Sequence, residues 1–337
     1  MSAAAGAAPG VRDRACRRFV PSTSRRRVAA SGSRSGCGMA AIVRASDRPA
    51  SIGRVSLLLL VDLDGVVYRG TEPVAGVATV LADRAARGDD IVYVTNNSMH
   101  YRGEYQTRLA AMGCPVSPET VVSSARATAI YLREHDPEIQ RVLVLGAGGL
   151  ERELRDVGFD VVTAGAAATR MSQEPIDGYA AAGNPDAVVV GLDPNLTYAR
   201  LVVANDSIRA GAHFIATNRD PVYPTERGLR PGAGSLVIAL EAATGVVAVS
   251  IGKPAPFLLE AAAHAVGREP SEAIMIGDGI DTDLAGARAV GARCIFMLTG
   301  VSTRAEVEAL PADQRPTFVA EGAAELAAAL EHLSAAG

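Results

Sequence analysis

Residues 57–61 form an unbroken apolar run that stops at Asp62; a second carboxylate, Asp64, follows two residues later, and Gly65 then lets the backbone turn. A short apolar run bounded by polar, glycine-containing sequence predicts a strand buried on both faces of a parallel sheet. The pattern recurs. Residues 91–94 run into Thr95-Asn96-Asn97-Ser98, residues 247–251 into Gly252-Lys253-Pro254, and residues 273–276 into Gly277-Asp278-Gly279, with Asp283 five positions beyond Asp278. Around these strands the apolar spacing predicts helices over 77–86, 105–112, 125–134, 256–265, 283–289 and 323–332, and a further strand over 294–298.

The gaps between these strands are unequal. Only 33 residues separate Asp62 from Thr95, room for one crossover helix, whereas about 155 lie between Thr95 and Lys253, enough for a domain. Inside that longer gap, strands over 141–145, 159–162, 186–191 and 213–217 alternate with helices over 150–157, 197–210 and 235–243. Alternation throughout predicts an α/β fold with a Rossmann-like, doubly wound parallel sheet. That core comprises residues 53–137 and 249–337, with a second α/β domain, 138–248, inserted into it. No solenoid-type repeat is present. Residues 1–52, rich in Ala, Ser, Gly and Arg without a sustained period, read as a disordered basic tail. Such a start resembles an organelle transit peptide, and equally fits translation that begins at Met39.

Composition narrows the class. Hydrophobic residues make up 48% of the 337, aromatics only 4%, and Trp is absent, so the core is built from Ala, Val, Leu and Ile. The net charge of −4 hides an asymmetry: residues 1–54 hold eleven Arg against two Asp, which leaves about −13 on the rest. An acidic body with no basic stripe argues against a nucleic-acid partner. Cys16, Cys37, Cys114 and Cys294 are far apart and suggest neither a disulfide framework nor a zinc cluster, which suits a reducing, cytoplasmic setting. No apolar run is long enough to span a bilayer. Lys253 is the one lysine in the chain, every other basic side chain being Arg. A compact ammonium does what a planar guanidinium cannot.

Each polar strand end has a plain structural explanation when taken alone. Asp and Asn are turn formers, and Asp283 suits the N-cap of the helix after it. Four such ends in one chain are harder to explain that way. In an open parallel sheet, ligands sit in the crevice beyond the carboxyl ends of the strands. If these strands are neighbours, that crevice gathers Asp62, Asp64, Asp278 and Asp283 with one ammonium, a hydroxyl and backbone amides. So much negative charge calls for a divalent cation, and an oxygen-only ligand set best suits Mg2+. A phosphate dianion near Lys253 brings the charges close to balance.

Together the motifs resemble the haloacid dehalogenase superfamily. They are DLDGVVYRG at 62–70, TNNS at 95–98, GKP at 252–254 and GDGIDTD at 277–283, with TNRDPVYPTERG at 217–228 and PGAGSL at 231–236. The likeness is to subclass IIA, the branch of 4-nitrophenyl phosphatase-type, phosphoglycolate, glycerol-phosphate and pyridoxal-phosphate phosphatases. That resemblance implies a C2-type cap inserted after the second motif, and Mg2+-dependent hydrolysis of a small phosphorylated metabolite through an aspartyl-phosphate. By the same resemblance Asp62 is the nucleophile and Asp64 the acid and base. Asp62, the Asp64 carbonyl and Asp278 hold Mg2+, while Asp283 orients a water or Lys253. Thr95, Asn96 and Asn97 meet phosphoryl oxygens. In similar proteins the cap loop selects the leaving group, so that Arg219 would meet a second anion and Tyr223 would stack, the alternative being that both are surface residues. Homodimers through the cap are common among similar proteins. A phosphomutase and a non-enzymatic phospho-ligand sensor are the alternatives on the same fold; hydrolytic dehalogenation would leave Asp64 and the metal site without purpose. Gly279 departs from relatives that carry a longer side chain there, which is expected to alter the pocket rim. Leu145-Gly-Ala-Gly-Gly149 imitates a dinucleotide fingerprint, but Glu151 stands where its third Gly belongs, so a tight turn is the better expectation.

Overall fold

The computed structural model describes residues 56–225 and 228–335; the tail expected over 1–52 lies outside them. In chain order the strands are β1 (Leu58–Asp62), β2 (Tyr68–Arg69), β3 (Glu72–Pro73), β4 (Asp90–Thr95), β5 (Val121–Ser123), β6 (Arg141–Leu145), β7 (Asp160–Thr163), β8 (Ala187–Val190), β9 (His213–Ala216), β10 (Val222–Thr225), β11 (Gly228–Pro231), β12 (Val249–Ser250), β13 (Ala273–Gly277), β14 (Arg293–Met297) and β15 (Phe318–Ala320). Six form a parallel sheet in the order β15-β14-β13-β1-β4-β5, and five a second parallel sheet in the order β12-β9-β8-β6-β7. β2–β3 and β10–β11 are antiparallel hairpins.

The unbroken apolar character of β1 follows from burial on both sides. Leu58 and Leu60 pack with Val92, Val94, Met275 and Phe296 on one face, and Leu59 and Val61 with Tyr93, Ile274, Ile276 and Ile295 on the other. Each such side chain, fully removed from water, contributes roughly 1.5–3 kcal/mol. The first of these clusters continues into the second sheet through Val142, Val144, Val189 and Ile215, while Leu143, Leu145, Val188 and Val190 pack on that sheet's far side. Among the described residues no helix is long and apolar enough to cross a membrane.

Strand order fixes where chemistry can happen. From β1 the chain moves to β4 and β5 on one side and returns through β13 on the other, so the sheet switches direction at β1 and leaves a crevice at its carboxyl edge. Asp62 closes β1, Thr95 closes β4 and Asp278 follows β13, which brings three of the four polar strand ends together.

The fourth arrives differently. The strand expected over 247–251 to rejoin the first sheet is only β12, and it pairs with β9 in the second sheet (Val249 with Ile215, Ser250 with Ala216). Ile251 and Gly252 extend that pairing by donating to Ala216 O and Thr217 O at 3.0 and 2.8 Å. This strand lies at the sheet's edge, where Val247 is 76% exposed, and its apolar run therefore marks an edge and not a buried centre. The helix expected from Asp283 begins at Ala285, because a wide turn, Ile280–Leu284, precedes it. The Gly-rich 145–149 segment is a turn onto the helix Gly148–Asp156. Gly149 N donates to Met99 O at 3.1 Å, and a Cβ there would run into the Met99–His100 backbone. Gly149→Ala is therefore expected to destabilise the protein by about 1–3 kcal/mol, read as a lower urea midpoint; an unchanged midpoint would show that this junction yields freely.

Candidate active site

Asp62, at the end of β1, is 7% exposed, and Lys253 beside it 3%. The Lys253 ammonium donates to Asp62 Oδ1 and to Asp283 Oδ1, both at 2.6 Å. Asp283 reaches this position because the turn before its helix is wide. Its Oδ2 accepts from the backbone N–H groups of Asp278 and Gly279 at 3.2 and 3.0 Å, which closes the turn from inside. Gly279 lies in that closure: a Cβ there would meet the Thr282 hydroxyl, which would have to turn aside. Asp278 Oδ2 accepts from Val301 N at 2.7 Å.

The resulting charge distribution is unusual for a protein interior. Asp62, Asp278 and Asp283 each offer a carboxylate oxygen, and the three atoms lie within 4.8 Å of one another. One ammonium sits among three buried acids. Burial, with Asp283 and Asp278 close by, raises the Asp62 carboxyl well above the usual range despite the opposing pull of Lys253. Burial and then Asp283 push Asp278 up to about 6. Burial alone would lower Lys253, but Asp283 and Asp62 outweigh it and hold the ammonium above its ordinary value. Asp64 opens onto the cleft, yet the crowding around it still raises its carboxyl, with Arg108 opposing.

The Thr95–Ser98 loop forms the second wall. Thr95 Oγ1 accepts from Asn97 N at 3.2 Å, Asn97 Oδ1 from Met99 N at 2.9 Å, and Tyr105 donates to Asn97 O at 3.0 Å. Asn96 sends its carboxamide N–H groups to Lys253 O (3.0 Å) and to the Asp220 carboxylate (3.1 and 3.3 Å). Asp62, Asp64, Thr95, Asn96, Asn97, Tyr223, Lys253, Asp278 and Asp283 all line one cleft of about 410 Å³. A larger hollow of about 780 Å³, between the helices Ser124–His135 and Phe257–Ala265, holds none of them, so size does not mark the site.

Arg219 is the expected site residue that the structure does not bring in. Its guanidinium forms a bidentate pair with Glu241 at 2.9 and 2.7 Å, on the helix Ala233–Thr244, and faces away from the cleft. Glu241, six residues beyond the expected helix start at 235, leaves no trace of that pairing in the sequence pattern. The cleft also takes in Leu192, Asn218, Asp220 and Val301. Asn218 and Asp220 belong to the cap loop that the motif marks, whereas nothing in the sequence distinguishes Leu192 or Val301.

Comparison with known proteins agrees with this geometry. A family model described as haloacid dehalogenase-like hydrolase matches residues 59–160, and a second, of the HAD-hydrolase-like type, matches 250–326. The acid sugar phosphatase of Staphylococcus aureus is 36% identical over 249 residues, covering 74% of this chain and 89% of that protein. The chain belongs to the haloacid dehalogenase-like hydrolases. Among solved structures, the glycerol phosphate phosphatase of Mycobacterium tuberculosis in complex with magnesium is 36% identical with a TM-score of 0.68, covering 80% of this chain and 75% of that one. The p-nitrophenyl phosphatase of Archaeoglobus fulgidus is 27% identical with a TM-score of 0.71, covering 81% and 99%. These neighbours place the chain in subclass IIA of the hydrolases.

The buried acid cluster of this hydrolase suits a hard divalent cation. Its donors are all oxygen, they converge within the span one ion can bridge, and they carry more negative charge than Lys253 neutralises. Lys253→Met should then leave buried acids without their counter-charge and cost about 3–5 kcal/mol in metal-free buffer, measured by urea unfolding; an unchanged midpoint would mean that the acids are not charged there.

Proposed function

We propose that the protein is a Mg2+-dependent phosphomonoesterase that hydrolyses a small phosphorylated metabolite, of the glycerol phosphate or phosphoglycolate type, through an aspartyl-phosphate on Asp62. The observation that carries this is the clustering of Asp62, Asp278 and Asp283, with Lys253 bound to the first and the last, at the base of a cleft that also holds Asp64 and the Thr95–Asn97 loop. The relatives, an acid sugar phosphatase, a glycerol phosphate phosphatase and a p-nitrophenyl phosphatase, support a phosphoric monoester hydrolase.

Asp62 stands where a nucleophile should, at the tip of the central strand. Lys253 holds one of its oxygens and so fixes the plane in which the other is offered. The attacking oxygen bonds to phosphorus as the bond from phosphorus to the leaving alkoxide breaks. Asp64, protonated at the start, gives that proton to the alkoxide. It then takes a proton from water, which attacks the phosphorus of the aspartyl-phosphate and frees Asp62 and inorganic phosphate. Splitting one difficult hydrolysis into two displacements is the gain from covalent catalysis. Held by Asp62, Asp278 and the Asp64 carbonyl, with Asp283 beside them, Mg2+ would neutralise negative charge on the phosphoryl oxygens. The Thr95–Asn97 loop would supply hydroxyl and amide donors to the same oxygens, a task of positioning and charge stabilisation.

Of the two leaving-group types, the neutral polyol is favoured. A carboxylate-bearing alcohol needs a cation on the cap side of the cleft, and Arg219, the candidate, is paired with Glu241 outside it while the Asp220 carboxylate faces in.

Asp62→Asn is expected to lower turnover of 4-nitrophenyl phosphate by at least about 10⁴-fold with folding unchanged. Near-normal rates with a clean preparation would refute the covalent route. Asp278→Ala should move the Mg2+ activation midpoint up by roughly 10-fold or more; superimposable metal titrations would remove Asp278 from the ligand set.

A further inference from the structure

The phosphate-facing loop is not held by the core alone. Three consecutive contacts tie it to cap residues 217–220. Thr217 Oγ1 lies 3.2 Å from Ser98 Oγ, Asn218 Nδ2 donates to Asn96 O at 2.8 Å, and the Asn96 carboxamide donates to both oxygens of Asp220 at 3.3 and 3.1 Å. Ser124 Oγ, at 2.6 Å from Asn96 O, and the Lys253 carbonyl, at 3.0 Å from the Asn96 carboxamide, also meet Asn96 directly.

Asp220 is itself set with unusual care. Its N–H donates to Asn218 Oδ1 at 3.1 Å, and its carbonyl accepts from Gly234 N at 3.0 Å. A Cβ at Gly234 would collide with the Arg219 and Asp220 carbonyls, so the small residues of the PGAG segment let the loop seat against the helix start. Arg219, one residue earlier, is anchored by Glu241 on the same helix. The side chain of Asp220 is thus presented to Asn96 from a fixed backbone.

We propose that Asp220 is a positioning residue that, from the cap, fixes the Asn96 carboxamide and with it the shape of the Thr95–Ser98 loop that receives the phosphoryl group. The role rests on the phosphomonoesterase reading above and adds a dependence to it: the phosphate-binding loop takes its working shape only with the cap loop seated. Asp220 touches neither reacting atom in that scheme; it acts through Asn96.

The test compares wild type with Asp220→Ala and Asp220→Asn in Mg2+ buffer, reading inorganic phosphate binding by calorimetry together with KM and kcat for 4-nitrophenyl phosphate. Loss of hydrogen bonds to a charged acceptor predicts phosphate binding weaker by roughly 10–100-fold in Asp220→Ala, with KM rising in step and kcat changing less. Asp220→Asn keeps an acceptor at the same reach and should recover most of the binding. A merely structural role would reduce the active fraction, lowering apparent kcat and leaving KM and phosphate affinity where they were. That outcome would overturn the proposal, as would an Asp220→Asn protein no better than Asp220→Ala. If Asp220→Ala does not fold, Asp220→Ser, too short to reach Asn96, carries the same expectation. A wild-type protein that neither binds phosphate nor turns over the ester would instead sink the phosphomonoesterase reading itself.

Discussion

Three carboxylates buried around a single ammonium set the terms for the rest of this structure. Asp62, Asp278 and Asp283 stand close enough that each like-charged pair repels by roughly 3–4 kcal/mol at an effective dielectric constant near 20. Lys253 offsets this through two short contacts, but it cannot cancel three charges. A protein keeps such an arrangement only where a cation or a reaction uses it. The surrounding architecture keeps these acids together: a stiff central strand ending in Asp62, a neighbouring strand leading to Asp278, and a wide turn whose amides hold Asp283 in place.

The second sheet takes part in the site. Lys253 reaches the acids from β12, the edge strand of that sheet, by way of Ile251 and Gly252, which continue its pairing with β9. The loop after β9 grips the Thr95–Ser98 segment, and Gly149 seats against the Met99–His100 backbone just beyond it. Nearby, Glu153, fully buried, accepts from the backbone N–H of Arg102 at 3.1 Å and pairs with its guanidinium. A shared apolar cluster lies beneath these polar ties. The second sheet therefore delivers the cation and steadies the loop, while the first sheet supplies the acids.

Much of this is legible in the sequence. The run at 57–61 and the polar residues after it announce a buried parallel strand with chemistry at its tip, and β1, β4 and β13 do lie side by side. Lys253 stood out by being the one lysine in the chain. What the pattern misplaced has a common cause, namely dependence on contacts far away in sequence. An apolar run of a few residues looks the same in a sheet centre and on a sheet edge, so 247–251 gave no sign of which sheet it would join. Asp283 has the ordinary features of a helix N-cap, and only the proximity of Asp278 N and Gly279 N shows that it closes a turn instead. Arg219 looked free to meet a substrate because its partner, Glu241, lies 22 residues on. The short elements β5 and β15 carry too few residues to show a period.

Dividing opposite charges between two structural units has a physical consequence. With the acids on one sheet and the ammonium delivered from the other, the electrostatic energy of the site falls as the units come together, since separating them would leave three buried carboxylates without a counter-charge. The attraction of Lys253 for Asp62 and Asp283 thus also helps to hold the two sheets together. Asn96 shows the same division on a smaller scale, with its carboxamide bound at once to the Lys253 carbonyl and to Asp220. One residue of the phosphate loop senses both the ammonium-bearing turn and the cap loop, so displacing either changes the donors that a phosphoryl group would meet. An inserted domain that only covered the cleft would need none of these ties. Their presence makes the second sheet and the loop after β9 structural parts of the site.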